Sequence, residues 1–132
     1  MVCRVRMKKY RSYKGEVGKI APNLLNRDFS TEKPNEKWVT DVTEFNMFGE
    51  KLYLSPILDL HSGDLVSYTI SERPVLSMVT SMLDKAFDAV PDHTNLILHS
   101  DQGWQYQHKQ YQRMLAKKGI RQSMSRKGNC LE

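Results

Sequence analysis

The apolar positions of this chain change period twice, and each change marks a new kind of element. From Trp38 to Phe45 the run is rich in β-branched and aromatic residues and predicts a strand. Phe48-Gly49-Glu50 supplies a turn, Lys51 to Leu60 a second strand, His61-Ser62-Gly63-Asp64 another turn and Leu65 to Ile70 a third strand, giving an antiparallel meander. Pro56 interrupts the second run; proline has no N–H for a ladder, so a bulge or a sheet edge is expected there. Arg73-Pro74 closes the strands. Val79, Met82, Leu83, Ala86, Phe87 and Val90 then recur at helical spacing, a single apolar face that starts at Pro74 or Ser77 and is stopped by Pro91.

The period shifts again at Leu96-Ile97-Leu98, a short apolar run that reads as a buried strand and gives way abruptly to His99, Ser100 and Asp101. A second amphipathic helix follows, with Tyr111, Met114 and Leu115 inward and Gly119 as its C-terminal cap, and Ile120 to Met124 suits a fifth strand. Strands joined through helices lie parallel, with right-handed crossovers. The predicted fold class is therefore α/β, a mixed five-stranded sheet with flanking helices.

Composition divides the chain further. Met1 to Gly15 is a basic arm with Tyr10 and Tyr13, and Glu16 to Glu36 is rich in turn formers such as Pro22, Asn23, Asn26 and Pro34, as expected of a surface linker. Residues 1–36 thus read as arm and linker, and 37–132 as the folded core. The net charge of +5 is unevenly spread: six basic residues fall in 1–15 and seven in 109–131, neither with an acid, while 16–108 holds 7 basic and 14 acidic residues. Basic flanks around an acidic centre suit phosphates gripped at the edges and cations in the middle, and equally suit solvated helix faces with a basic tail. No run of about 18 apolar residues occurs, which argues against a membrane span, and no apolar block follows the basic N-terminus as in a signal peptide. A cytoplasmic location is expected, with Cys3 and Cys130 as reduced thiols.

The candidate chemistry lies at strand ends. Asp101 stands where a strand leaves the core, a place for a carboxylate that holds a metal ion or for a turn former. The sheet order can bring it beside Asp41. Two facing carboxylates repel unless a cation lies between them, and hard divalent ions, Mg2+ or Mn2+, suit such oxygen ligands. Asp59 is a possible further ligand or a turn carboxylate, and Glu44 faces away from Asp41 unless a bulge intervenes. His99 could orient Asp101 or serve the structure, and Trp104 and Tyr106 could stack on a base or pack beneath the loop.

Trp38-Val39-Thr40-Asp41-Val42-Thr43, Leu58-Asp59-Leu60-His61-Ser62, His99-Ser100-Asp101-Gln102-Gly103 and Ser123-Met124-Ser125-Arg126-Lys127-Gly128-Asn129 together resemble the catalytic core of bacterial insertion-sequence transposases of the DDE class, relatives of retroviral integrases. The resemblance implies an RNase H-like fold and DNA transposition by metal-dependent phosphodiester cleavage and strand transfer. It implies Asp41 and Asp101 as the first two members of an acidic triad. It places the third, a glutamate on a final helix, beyond Glu132, so a fragment inactive alone is expected, lacking that helix and an upstream helix-turn-helix region. DNA, a second copy or a full-length transposase are the implied partners; Arg121, Arg126 and Lys127 flank the expected active-site edge and are the candidates for phosphate contacts, against the alternative of a merely solvated face. The alternative is a non-catalytic DNA-binding or transposase-interacting remnant.

Overall fold

The computed structural model describes residues 20–26 and 28–125. The basic arm, Cys3, Arg126, Lys127, Cys130 and Glu132 lie outside them. The elements in chain order are β1 (Lys37–Thr40), β2 (Thr43–Met47), β3 (Glu50–Asp59), β4 (Leu65–Ser71), α1 (Leu76–Phe87), β5 (Ile97–Ser100), α2 (Trp104–Gln107), α3 (Lys109–Lys118) and β6 (Arg121–Met124).

The sheet has six strands where the hydrophobic pattern predicts five, because the first strand is broken in two. β1 and β2 both pair antiparallel with β3 in a single unbroken register, with Thr40 opposite Ile57 and Thr43 opposite Leu54. That register sets Asp41 opposite Pro56. Proline has no N–H to return, and its carbonyl instead accepts from the Thr40 hydroxyl at 2.8 Å. Pro56 can therefore donate no rung toward Asp41. On its other side β3 pairs with β4 through Pro56 without a break, and the expected bulge falls one residue later: Ile57 faces Ser67 and Leu58 faces Leu65, leaving Val66 over.

β5 runs parallel to β1, and β6 parallel to β5, as the helical crossovers require. α1 lies on the face formed by Tyr53, Ser55 and Ile57 of β3 and Ser67 and Thr69 of β4, where Met78, Val79, Met82, Leu83 and Ala86 are buried. Ser67 and Thr69 hydroxyls donate to the Met82 and Met78 carbonyls at 2.8 Å each, which satisfies polar groups that the strand buries. Val90, the last member of the sequence stripe, is buried beyond the helix end. α3 starts at His108, whose Nδ1 accepts the Gln110 N–H, and ends at Gly119, φ +86°. A side chain at Gly119 would also meet the His93 backbone, 2.7 Å from its Cα.

The expected surface linker is partly built into the fold. Leu25 is buried, the Leu24 and Leu25 N–H groups donate to Ser123 Oγ at 2.8 and 3.4 Å, and the Met124 N–H donates to the Pro22 carbonyl. No helix among the described residues is long and apolar enough to cross a membrane.

Candidate active site

The parallel register places Lys37 beside Ile97, Trp38 beside Leu98 and Val39 beside His99. Carried on through Thr40 and Ser100, it brings Asp41 and Asp101 level with each other, both one step past the end of a strand. The two carboxylates that the sequence singles out share the carboxyl edge of adjacent strands, where α/β sheets put their chemistry.

Each carboxylate is aimed by the turn that follows it. Asp41 Oδ1 accepts the Val42 N–H at 2.8 Å, and Asp101 Oδ1 accepts the Gly103 N–H at 2.8 Å. Thr40 and Val42 are buried on either side of Asp41, so the half-exposed carboxylate stands on anchored backbone although Pro56 donates no rung. Beyond Asp101, the Gln102 amide donates to the Ser125 carbonyl and the Gln107 amide to the Gln102 carbonyl, which ties the loop to the end of β6 and to α2. Gly103 suits a close approach: a Cβ there would lie 3.0 Å from Asp101 Oδ1, 3.2 Å from Gln105 Oε1 and 3.4 Å from Tyr106 Cδ2.

Beneath the edge, Tyr106 and Tyr111 pack edge-on, ring centres 5.3 Å apart. Burial, with the negative charges of Asp101 and Asp41 added, pushes the Tyr106 hydroxyl well above the ordinary tyrosine range, and burial with Asp101 does the same to Tyr111. Both stay neutral donors. Packing beneath the loop is thus what the structure shows for Tyr106, and Trp104 is half-buried against the same core.

The remaining sequence candidates separate from the pair. Asp59 is a buried turn carboxylate, accepting the His61 N–H at 3.0 Å and the Asn35 N–H at 3.1 Å. Glu44 pairs with Lys51 at 3.4 Å, and the unbroken register between β1 and β2 leaves no bulge to swing it toward Asp41. His99 is fully buried with Nδ1 2.7 Å from Ser123 Oγ. Arg121 does not flank the active-site edge as the sequence suggests. It opens β6 beside Ile97, about 13 Å of strand behind Asp101, and donates to the Asn95 carbonyl at 2.9 Å. A strand that runs parallel to β5 necessarily starts at the far edge. Arg126 and Lys127 lie outside the described residues.

Two carboxylates with hard oxygen donors fit a divalent cation in type, and among the described residues no cluster of three or more His, Cys, Asp or Glu completes the set. Sequence reasoning missed Gly103 and Ser123 as structural supports. For Gly103 a signal was present, since an Asp two residues before a Gly is a common local turn pattern.

A mixed sheet with this strand order and paired aspartates at its carboxyl edge defines an RNase H-like core of the integrase type. The integrase core domain family matches residues 31–130, and the chain belongs to that family. The putative transposase InsK for insertion sequence element IS150 of Escherichia coli K12 is 59% identical over 128 residues, 97% of this chain and 45% of that protein. An uncharacterized transposase-like protein of Haemophilus influenzae is 53% identical over 126 residues, 96% of this chain and 58% of its own. The chain thus spans about half the length of these relatives. Among solved structures, the HTLV-2 integrase catalytic core domain, determined in complex with magnesium, superposes with a TM-score of 0.61 at 22% identity, over 70% of this chain and 60% of that one. A chain of a simian T-cell lymphotropic virus intasome, determined in complex with PP2A regulatory subunit B56 gamma, gives 0.63 at 24%, over 89% and 38%.

Proposed function

We propose that this chain is the catalytic-core portion of an insertion-sequence transposase, in which Asp41 and Asp101 hold Mg2+ or Mn2+ for phosphodiester cleavage and strand transfer on DNA. The observation that carries the reading is the shared register of β1 and β5, which sets the two carboxylates level at one edge. Relatives described as transposases support the DNA substrate. When bound, divalent cations supply charge neutralisation and Lewis acidity at the reacting phosphate. The chain's own part is to aim two carboxylates through the Val42 and Gly103 N–H groups and to keep the core side dry with Tyr106 and Tyr111.

Taken alone, the 132 residues bind DNA without turnover, since two carboxylates define ion positions poorly. This is the remnant reading. The deciding experiment incubates the isolated chain and a full-length relative such as InsK with insertion-sequence end DNA and Mg2+. Cleavage by the full-length protein that is abolished when the aspartates equivalent to Asp41 and Asp101 become Asn, with no cleavage by the isolated chain, supports both readings. Cleavage by the isolated chain overturns its inactivity, and full-length activity that survives both substitutions overturns the site.

A further inference from the structure

The hairpin of β2 and β3 runs on past the edge where the two carboxylates stand. Asp41 lies level with Pro56, and the pairing continues from Thr43 opposite Leu54 to Met47 opposite Glu50. The Phe48-Gly49 turn therefore lies about 20 Å of strand beyond the aspartates. β4 ends opposite Tyr53 and β2 pairs with β3 alone, so among the described residues no third strand flanks the ribbon from Phe45 to Leu52, and Asn46 to Lys51 are all exposed. At the tip Phe48 is 97% exposed. Its φ is +52° and that of Gly49 is +81°, the two left-handed positions of a two-residue hairpin turn, which Asn-Gly fits best. The other described non-glycine residues with positive φ are Asn26, Asn35, Asn95 and His93, types that tolerate this backbone. Phenylalanine thus breaks the local preference of the turn and leaves a large apolar ring in water. Neither turn formation nor core packing accounts for it.

We infer that Phe48 is a DNA contact, its ring stacking on a nucleobase about six base pairs from the phosphate held at Asp41 and Asp101. The inference rests on the proposed DNA site, and its test separates the two. A duplex seated at that edge and running along the hairpin meets its tip, which offers a ring rather than a grip on phosphate: Lys51 is paired with Glu44 at 3.4 Å, and Glu50 is acidic. Duplexes carrying an IS150 end are prepared with one 2-aminopurine at each position within about six base pairs of the terminal phosphodiester. They are bound to the full 132-residue chain and to its Phe48→Asn and Phe48→Trp variants, with affinity read by anisotropy and the thermal midpoint read without DNA. Phe48→Asn is expected to melt about 3 °C higher, the turn being relieved. It should nonetheless bind about tenfold more weakly at low and high salt alike, and lose the rise in 2-aminopurine fluorescence that marks an unstacked base. Phe48→Trp keeps both. Parent-like affinity and fluorescence in Phe48→Asn overturn the inference, as does a loss of affinity that only tracks a falling midpoint, or a Phe48→Trp variant that behaves like Phe48→Asn. If Phe48→Asn abolishes self-association in sedimentation and leaves the fluorescence response intact, the ring meets a second copy and the inference falls. If the parent chain binds the duplex with no 2-aminopurine response at any position, the base contact alone falls. If it binds no duplex, the DNA site fails and the role of Phe48 fails with it.

Discussion

At the scale of single residues the edge is held by small, exacting contacts. Gly103→Ala puts a methyl 3.0 Å from Asp101 Oδ1 and 3.2 Å from Gln105 Oε1, so these side-chain oxygens must shift by a few tenths of an ångström. We expect this change to cost about 1–3 kcal/mol and to break the N–H bond that aims Asp101, read as a lower urea midpoint together with a weakened Mn2+ response. The two buried tyrosines make a separate prediction. Their folded-state values are raised above the ordinary 10.0, so the unfolded chain loses these protons first, and the stability they confer is intact below pH 10 and falls as the pH climbs past it. Each contributes a slope of about 1.4 kcal/mol per pH unit. Tyr111→Phe should remove one such slope from a urea-denaturation series run across the alkaline range, and an unaltered slope would contradict the burial assigned to that hydroxyl.

At the scale of elements, what acts along the chain was legible in the sequence, while what acts across it was legible only in part: the parallel pairing of β5 with β1 was, and its local departures were not. The α1 stripe, the inward residues of α3, the Gly119 cap and the meander all express periodicity or turn chemistry within a few neighbours, and the structure reproduces them. The split of the first strand has no local cause in Asp41-Val42; it comes from a proline on the facing strand. The edge of Arg121 likewise depends on the direction of β6 relative to β5. Turn-rich composition hid the docking of Leu25, whose anchor is a serine about a hundred positions away, |i−j| = 98. That anchor is testable. Ser123→Ala strands the Leu24 and Leu25 N–H groups and removes the partner of His99 Nδ1, at a cost of about 1–3 kcal/mol. Limited proteolysis should then cut within residues 20–29 faster than in the parent chain, and equal cutting rates would show that the anchor does not hold the segment.

At the scale of the whole molecule, charge and connectivity decide behaviour. The basic residues concentrate at the ends of a chain with an acidic middle, and the proposed DNA binding should be correspondingly salt-sensitive. Three phosphate contacts would weaken binding about fortyfold between about 50 and 200 mM salt. Fluorescence anisotropy on a labelled duplex measures this directly, and a flat response would remove phosphate contacts from the account. The docking of the early segment onto β6 has a different consequence. Ala21 meets Met124 across 103 positions, and Leu24 meets Ser123 across 99, so the first described residues find their places only after almost the last have been synthesised. During translation that segment has nowhere to settle, and until β6 arrives β5 is a bare border with unmatched backbone groups. The strand that delivers Asp101 is thus sealed late, and such non-local closure is slow. A ribosome paused with β5 already emerged and β6 still inside it would hold out a nascent chain with an adhesive rim, so the order of synthesis sets when this fold is most vulnerable to its neighbours.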